Sequence, residues 1–182
     1  SWDSLAGSTG YTLHYSESTP VTTSDSSLTV SGTSYTHTSL DAAKTYYYAV
    51  IADGSTGSSP IFEEVSAQPI PGAPTLTVGT NTDTTVTITW NTVSGANVYR
   101  LHSSTSPSVK ETDNITIVAG NFHTVSGLTS GDTRYFAMIS ENSVSQLSGV
   151  LSNEVTATAI PLTLGILFAK PDPAGKKINL SW

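Results

Sequence analysis

Apolar and polar residues alternate with a period of two along most of this chain. In "TVTITW", Val86, Ile88 and Trp90 fall on one face and three threonines on the other. "YTLHY" puts Tyr11, Leu13 and Tyr15 on one face, and "VYRL" does the same for Tyr99 and Leu101. "TYYYAVIA" and "TRYFAMIS" are rich in aromatic and β-branched residues. Short runs of Thr, Ser and Gly separate these segments, and no stretch shows helical periodicity. The pattern predicts short antiparallel strands joined by turns.

The pattern occurs twice. Trp2 and Trp90 are 88 residues apart, and so are Gly7 and Gly95, Tyr11 and Tyr99, Leu13 and Leu101, and His14 and His102. The same offset returns for Leu40 and Leu128, Tyr47 and Tyr135, and Ala49 and Ala137. Toward the end it grows to 90, aligning Glu64-Val65 with Glu154-Val155 and Ile70-Pro71 with Ile160-Pro161. The two added residues fall in "SENSVSQLSG" against "ADGSTGSS", a loop, where a fold tolerates insertion. Several strands in about 90 residues predict a β-sandwich for each copy.

These residues resemble the bacterial fibronectin type III repeat. The second copy carries the resemblance in Trp90, Gly95, Tyr99, "STSP" (104–107), "GLTSGDTRYFAM" (127–138) and "SNEVTATAIP" (152–161). The first carries it in Trp2, Tyr11, "YTHTSLDAAKTYYYAV" (35–50) and "EEVSAQPIP" (63–71). The resemblance implies seven strands, A to G, in two sheets, with the B-strand tryptophan in the core. It also implies a tyrosine at the start of strand F that bonds back to the preceding chain. Tyr46 matches that position, whereas Arg134 stands there in the second copy, so the contact is not carried over to it. The expected class is all-β, with tandem immunoglobulin-like sandwiches: one complete repeat and two partial ones.

The complete repeat spans 72–161, with strand A in "APTLTVG" and strand B in "TVTITW". Residues 1–71 read as a repeat lacking strand A and most of B. In residues 162–182, Ile178, Leu180 and Trp182 repeat the spacing of Val86, Ile88 and Trp90, so this segment reads as strands A and B of a further repeat. The two partial pieces are complementary, and three arrangements follow. The chain is a slice of a longer array, or its tail fills the first repeat of another molecule, or the tail folds back onto its own first repeat. Tail-to-head filling between molecules needs no return past the middle repeat. It would bury Leu167, Ile178, Leu180 and Trp182, the expected inter-subunit contacts, at roughly 1.5–3 kcal/mol per side chain.

Charge and composition narrow the function. A net charge of −7 and a pI near 4.8 argue against nucleic-acid or anionic-membrane partners. The absence of cysteine excludes disulfides, thiol catalysis and cysteine-held metals. The longest apolar run, 160–169, is about half of a membrane span. With neither an initial Met nor a signal peptide, the chain reads as a mature form or an excised segment.

No residue set points to catalysis, a cofactor or a metal. His14 and His102 lie beside core-facing leucines and are expected to be exposed on the opposite face, and His37 and His123, near the E strands, likewise. Glu63 and Glu64 face opposite sides of a strand. Asp53 and Glu141 enter the two F–G loops, where a turn role is the ordinary one. Sequons occur at Asn114 and Asn179. The reading is a non-enzymatic extracellular or cell-surface spacer, adhesive rod or filament subunit. Its expected partners are copies of itself or adjacent repeats, with a protein or glycan surface ligand as a further class. An accessory region of a secreted polysaccharide-degrading enzyme is the alternative.

Overall fold

The computed structural model describes residues 1–61, 63–160, 168–171 and 178–181, the last two stretches through their backbone pairing. Every regular element among them is a β-strand. The first repeat contains β1 (Ser8–Ser16), β2 (Ser26–Val30), β3 (Tyr46–Gly54), β4 (Gly57–Ser58) and β5 (Glu64–Ala67). They form one antiparallel sheet in the order β2-β1-β3-β4, with β5 also on β3.

The second repeat contains β6 (Leu76–Asn81), β7 (Val86–Trp90), β8 (Val98–Ser104), β9 (Asn114–Val118), β10 (Phe122–Val125), β11 (Thr133–Asn142), β12 (Leu147–Ser148) and β13 (Val155–Thr158). Its larger sheet, β12-β11-β8-β9 with β13 on β11, copies the first repeat strand for strand. Register is copied too: Leu13 opposes Val50 as Leu101 opposes Met138. A three-stranded sheet, β10-β7-β6, covers it. Residues 1–71 hold no counterpart of that sheet among the described strands. Finally, β14 (Phe168–Pro171) and β15 (Ile178–Ser181) pair antiparallel with each other.

Alternation along β7 delivers Val86, Ile88 and Trp90 to the sandwich interior, where they meet Leu76, Tyr99, Leu101, Phe136, Met138 and Ala157. Trp90 is 5% exposed and lies 5.6 Å from the Tyr99 ring. Both repeats hold their B–C turn the same way. The Leu5 and Val93 amides donate to the Tyr11 and Tyr99 hydroxyls, each at 3.0 Å. The corner contact expected of Tyr46 is present, with the Asp41 amide donating to its hydroxyl at 3.0 Å. Both turns share a backbone bond, from the Lys44 amide to the Asp41 carbonyl at 3.1 Å and from the Asp132 amide to the Thr129 carbonyl at 2.8 Å, and in the second repeat the Thr129 amide also donates to the Asp132 carboxylate at 3.1 Å.

The repeats meet at a packed joint. Ser94 donates to the Asp41 carboxylate. Beside this contact, Gln68 Nε2 donates within the first repeat to the Ala42 carbonyl at 2.8 Å, and Ser140 Oγ donates within the second to the Gly72 carbonyl at 2.6 Å. The Ala42 carbonyl lies so close to Gly95 that a Cβ there would sit 2.3 Å from its oxygen. Gly95 has φ +77°, and its counterpart Gly7 has φ +87° with open space around it.

Trp90→Ala should destabilise the second repeat by about 3–5 kcal/mol, read from urea unfolding; a loss under about 1 kcal/mol would remove Trp90 from the core. Gly7→Ala should cost only the left-handed backbone penalty, about 1–2 kcal/mol. Gly95→Ala carries the same penalty and also pushes the joint apart. Small-angle scattering should therefore show a changed inter-repeat distance for Gly95→Ala alone, and equal profiles for the two variants would dissolve the joint.

Candidate functional site

Among the described residues, the inner face of the first-repeat sheet forms a groove of about 1080 Å³. Its lining includes Trp2, Leu5, Tyr11, Leu13, Tyr35, His37, Leu40, Tyr48, Val50 and Val65. The corresponding face of the second repeat gives the comparison. Phe136 and Met138 on β11 are 0% exposed beneath β6 and β7. Their counterparts on β3, Tyr48 and Val50, are only half-buried, and Val65 on β5 is 62% exposed. The apolar face of the first-repeat sheet is therefore partly exposed where its counterpart is buried.

One end of the groove is aromatic. The His37 ring lies 4.6 Å from that of Tyr15 and 5.9 Å from that of Tyr48, and His37 Nδ1 hydrogen-bonds the Tyr48 hydroxyl at 3.1 Å. Burial, with Tyr46 and Tyr15 nearby, pushes the Tyr48 hydroxyl's pKa up. His37 is therefore a half-buried groove residue and not an exposed strand residue. Residues 34–38 form no strand, because strand E of a sandwich takes its hydrogen bonds from strand B. Its counterpart region in the second repeat is β10, paired to β7, where His123 opposes Ile88 and is half-buried.

The edge of that missing pairing is in place. The Trp2 amide donates to the Thr33 carbonyl at 3.0 Å, as the Trp90 amide does to the Asn121 carbonyl at 3.0 Å. Of the expected inter-subunit contacts, Ile178 and Leu180 fall in β15, with Leu180 opposite Ala169 and Ile178 opposite Pro171. Leu167 and Trp182 lie outside the described residues. The hairpin pairs Phe168 with Ser181 and Ala169 with Leu180 in the register by which β6 and β7 pair Thr77 with Thr89 and Val78 with Ile88.

Of the polar candidates, Glu64, Asp53 and Glu141 have structural work. His14 and His102 do face away from the groove side, but both are buried. The loops that follow β1 and β8 lie on this side of the sheet. The Val21 amide donates to Glu64 at 2.5 Å and the Val109 amide to Glu154 at 2.7 Å, and both valines are buried. Strand alternation identifies the face on which these histidines stand, but not the loop that covers them. Glu64 thus anchors a loop, while Glu63 lines the groove on the other side. Asp53 accepts from Ser58 at 2.7 Å and Thr12 at 2.8 Å, and these hydroxyls hold its carboxyl below the usual range. At Glu141 burial acts upward, yet Arg100, 2.7 Å away, and Ser148 hold the carboxyl below the usual range. Each carboxylate ties strand F to its F–G hairpin.

Burial lowers the pKa of His102 from 6.5, against the opposing pull of Glu111 and Asp113 and alongside the charge of Arg100. Between its folded pKa and 6.5 the unfolded chain binds more protons at this residue, so stability falls as pH drops through that window. From about pH 7 to about pH 5, the urea midpoint of the second repeat should fall more for the parent chain than for His102→Gln. Equal falls would show that His102 carries no acid sensitivity.

A scan against protein-family models finds no match, and neither does a comparison with curated protein sequences. Solved structures do match. A two-domain fibronectin type III segment of chicken tenascin aligns with TM-score 0.50 and 18% identity, over 86% of this chain and 87% of that one. The FN1–FN3 domains of chicken CNTN1 align with TM-score 0.43 and 15% identity, over 83% of this chain. This chain spans 56% of that fragment's length. The tenascin likeness, taken with the strand order above, shows the fold: all-β, in tandem fibronectin type III-like repeats.

Proposed function

We propose that the chain is a non-enzymatic tandem-repeat module of an extracellular or cell-surface protein, of the bacterial type its motifs resemble. It acts as a spacer, adhesive rod or filament subunit. Its units are 1–71, a repeat without strand A and most of B; 72–161, a complete repeat; and 162–182, an A–B segment. The last completes the first repeat of another copy, adding strands to an open sandwich. One observation carries this reading: the groove of the first repeat has the lining that β6 and β7 cover in the second. The β14–β15 hairpin, with the β6–β7 register, is the complementary piece in the same chain.

The joint supports the rod. The Ser140 hydroxyl holds the Gly72 carbonyl, and prolines at 69, 71 and 74 restrict the linker's torsions. A tail-to-head contact is heterologous, so it propagates into a filament or closes into a ring.

In sedimentation velocity the intact chain should form concentration-dependent oligomers. Removing residues 162–182 should leave a monomer whose first repeat binds a hydrophobic dye and unfolds without cooperativity, while the second unfolds normally. A dilution-stable monomer for the intact chain would refute the proposal.

A further inference from the structure

Residues 33–37 form a docking edge in which one tryptophan slot has two claimants. In the complete repeat, β10 meets β7 through Phe122–Thr89, His123–Ile88, Thr124–Thr87 and Val125–Val86. The 88-residue offset maps the β10 positions onto Ser34, Tyr35, Thr36 and His37. The spacing of Ile178, Leu180 and Trp182 maps the β7 positions onto the end of the chain.

We propose that the hairpin of a second copy pairs with this edge in one register, Leu180 opposite Tyr35, Asn179 opposite Thr36 and Ile178 opposite His37. In this register the second copy's Ser181 and Trp182 replace Ser1 and Trp2. The inference rests on the strand-completion reading above and specifies its contact.

Two observations lead to the exchange. First, Trp2 already stands at the position of Trp90: its amide bonds the Thr33 carbonyl as that of Trp90 bonds Asn121, and its ring meets Tyr11 at 5.6 Å as that of Trp90 meets Tyr99. A strand entering in the β7 register brings its own tryptophan to the same place, and one core has room for one indole. Second, Trp2 is held loosely. It is half-buried where Trp90 is buried, so little is lost when it leaves. The incoming strand supplies the whole row of backbone bonds along residues 34–37, which form no strand in this chain.

The outward positions offer a direct probe. In the complete repeat Thr87 and Thr124 touch across the strands, with their hydroxyls 3.1 Å apart. The mapped pair is Asn179 and Thr36, and the chain has no cysteine to interfere. Thr36→Cys and Asn179→Cys chains, mixed and oxidised, should form a disulfide-linked heterodimer, while Thr36→Cys mixed with Ile178→Cys should not. Trp182→Ala should weaken association about tenfold or more, as expected for a central indole anchor. Trp2→Ala should leave association unchanged or tighten it.

Each of the following results overturns the inference. Cross-linking in the shifted pair but not the matched one shows another register. Weaker association for Trp2→Ala shows that Trp2 keeps its slot. Cross-linked monomer from a chain carrying both cysteines, with none formed between mixed single variants, shows that the tail fills its own first repeat. Absence of any association in the parent chain overturns the underlying reading itself, whereas association without the matched cross-link overturns this register alone.

Discussion

A sheet with one apolar face must lay that face against another apolar surface, and everything else in this chain depends on how that requirement is met. In the second repeat β7 meets it: Val86, Ile88 and Trp90 enter between the sheets and leave Phe136 and Met138 with no exposure. In the first repeat the same sheet is built in the same register, but its inner face stays open over Tyr48, Val50 and Val65. Tyr11 and Leu13 on that face are buried, while Tyr48 and Val50 stay half-buried and Val65 exposed, so part of the burial that the second repeat achieves is not reached here.

The outer face of the larger sheet is handled identically in both repeats. A loop leaves strand C, buries a valine, and is pinned by a glutamate from the strand G region to that valine's amide. A second carboxylate, Asp53 or Glu141, locks the F–G hairpin through hydroxyl groups. With both devices in place, the first repeat's sheet has a finished outer side even though its inner side is uncovered. At the groove's edge the Thr33 carbonyl accepts from the Trp2 amide, the bond that Trp90 makes to Asn121 in the second repeat.

The joint between repeats adds direction. Asp41 and Ala42 of one repeat meet Ser94 and Gly95 of the next, and the close approach of the Ala42 carbonyl leaves no room for a side chain at residue 95. Tandem sandwiches joined this way transmit orientation from one unit to the next. Among the described residues no three of His, Cys, Asp and Glu gather in a metal-binding group, and the titratable groups of both F–G loops are engaged in hydrogen bonds.

The sequence by itself determined the repeat, the strands, the all-β class and the inward row of Val86, Ile88, Trp90, Tyr99 and Leu101. These follow from a period of two and from an offset that any reader can count. It also located Tyr46 as a corner residue and Trp2 as the counterpart of Trp90. What it could not convey was the fate of the other side of each strand. His14 and His102 alternate away from the core yet are buried, because a loop distant from the alternation folds over them. His37 was legible as a residue of the E region, but its place among Tyr15, Tyr46 and Tyr48 depends on contacts between segments that alternation does not relate. The same holds for Gly95, whose need for glycine comes from a carbonyl in another repeat. Alternation records which way a side chain points from its own strand. Only the tertiary structure decides what waits there, because that depends on contacts between segments far apart in the chain.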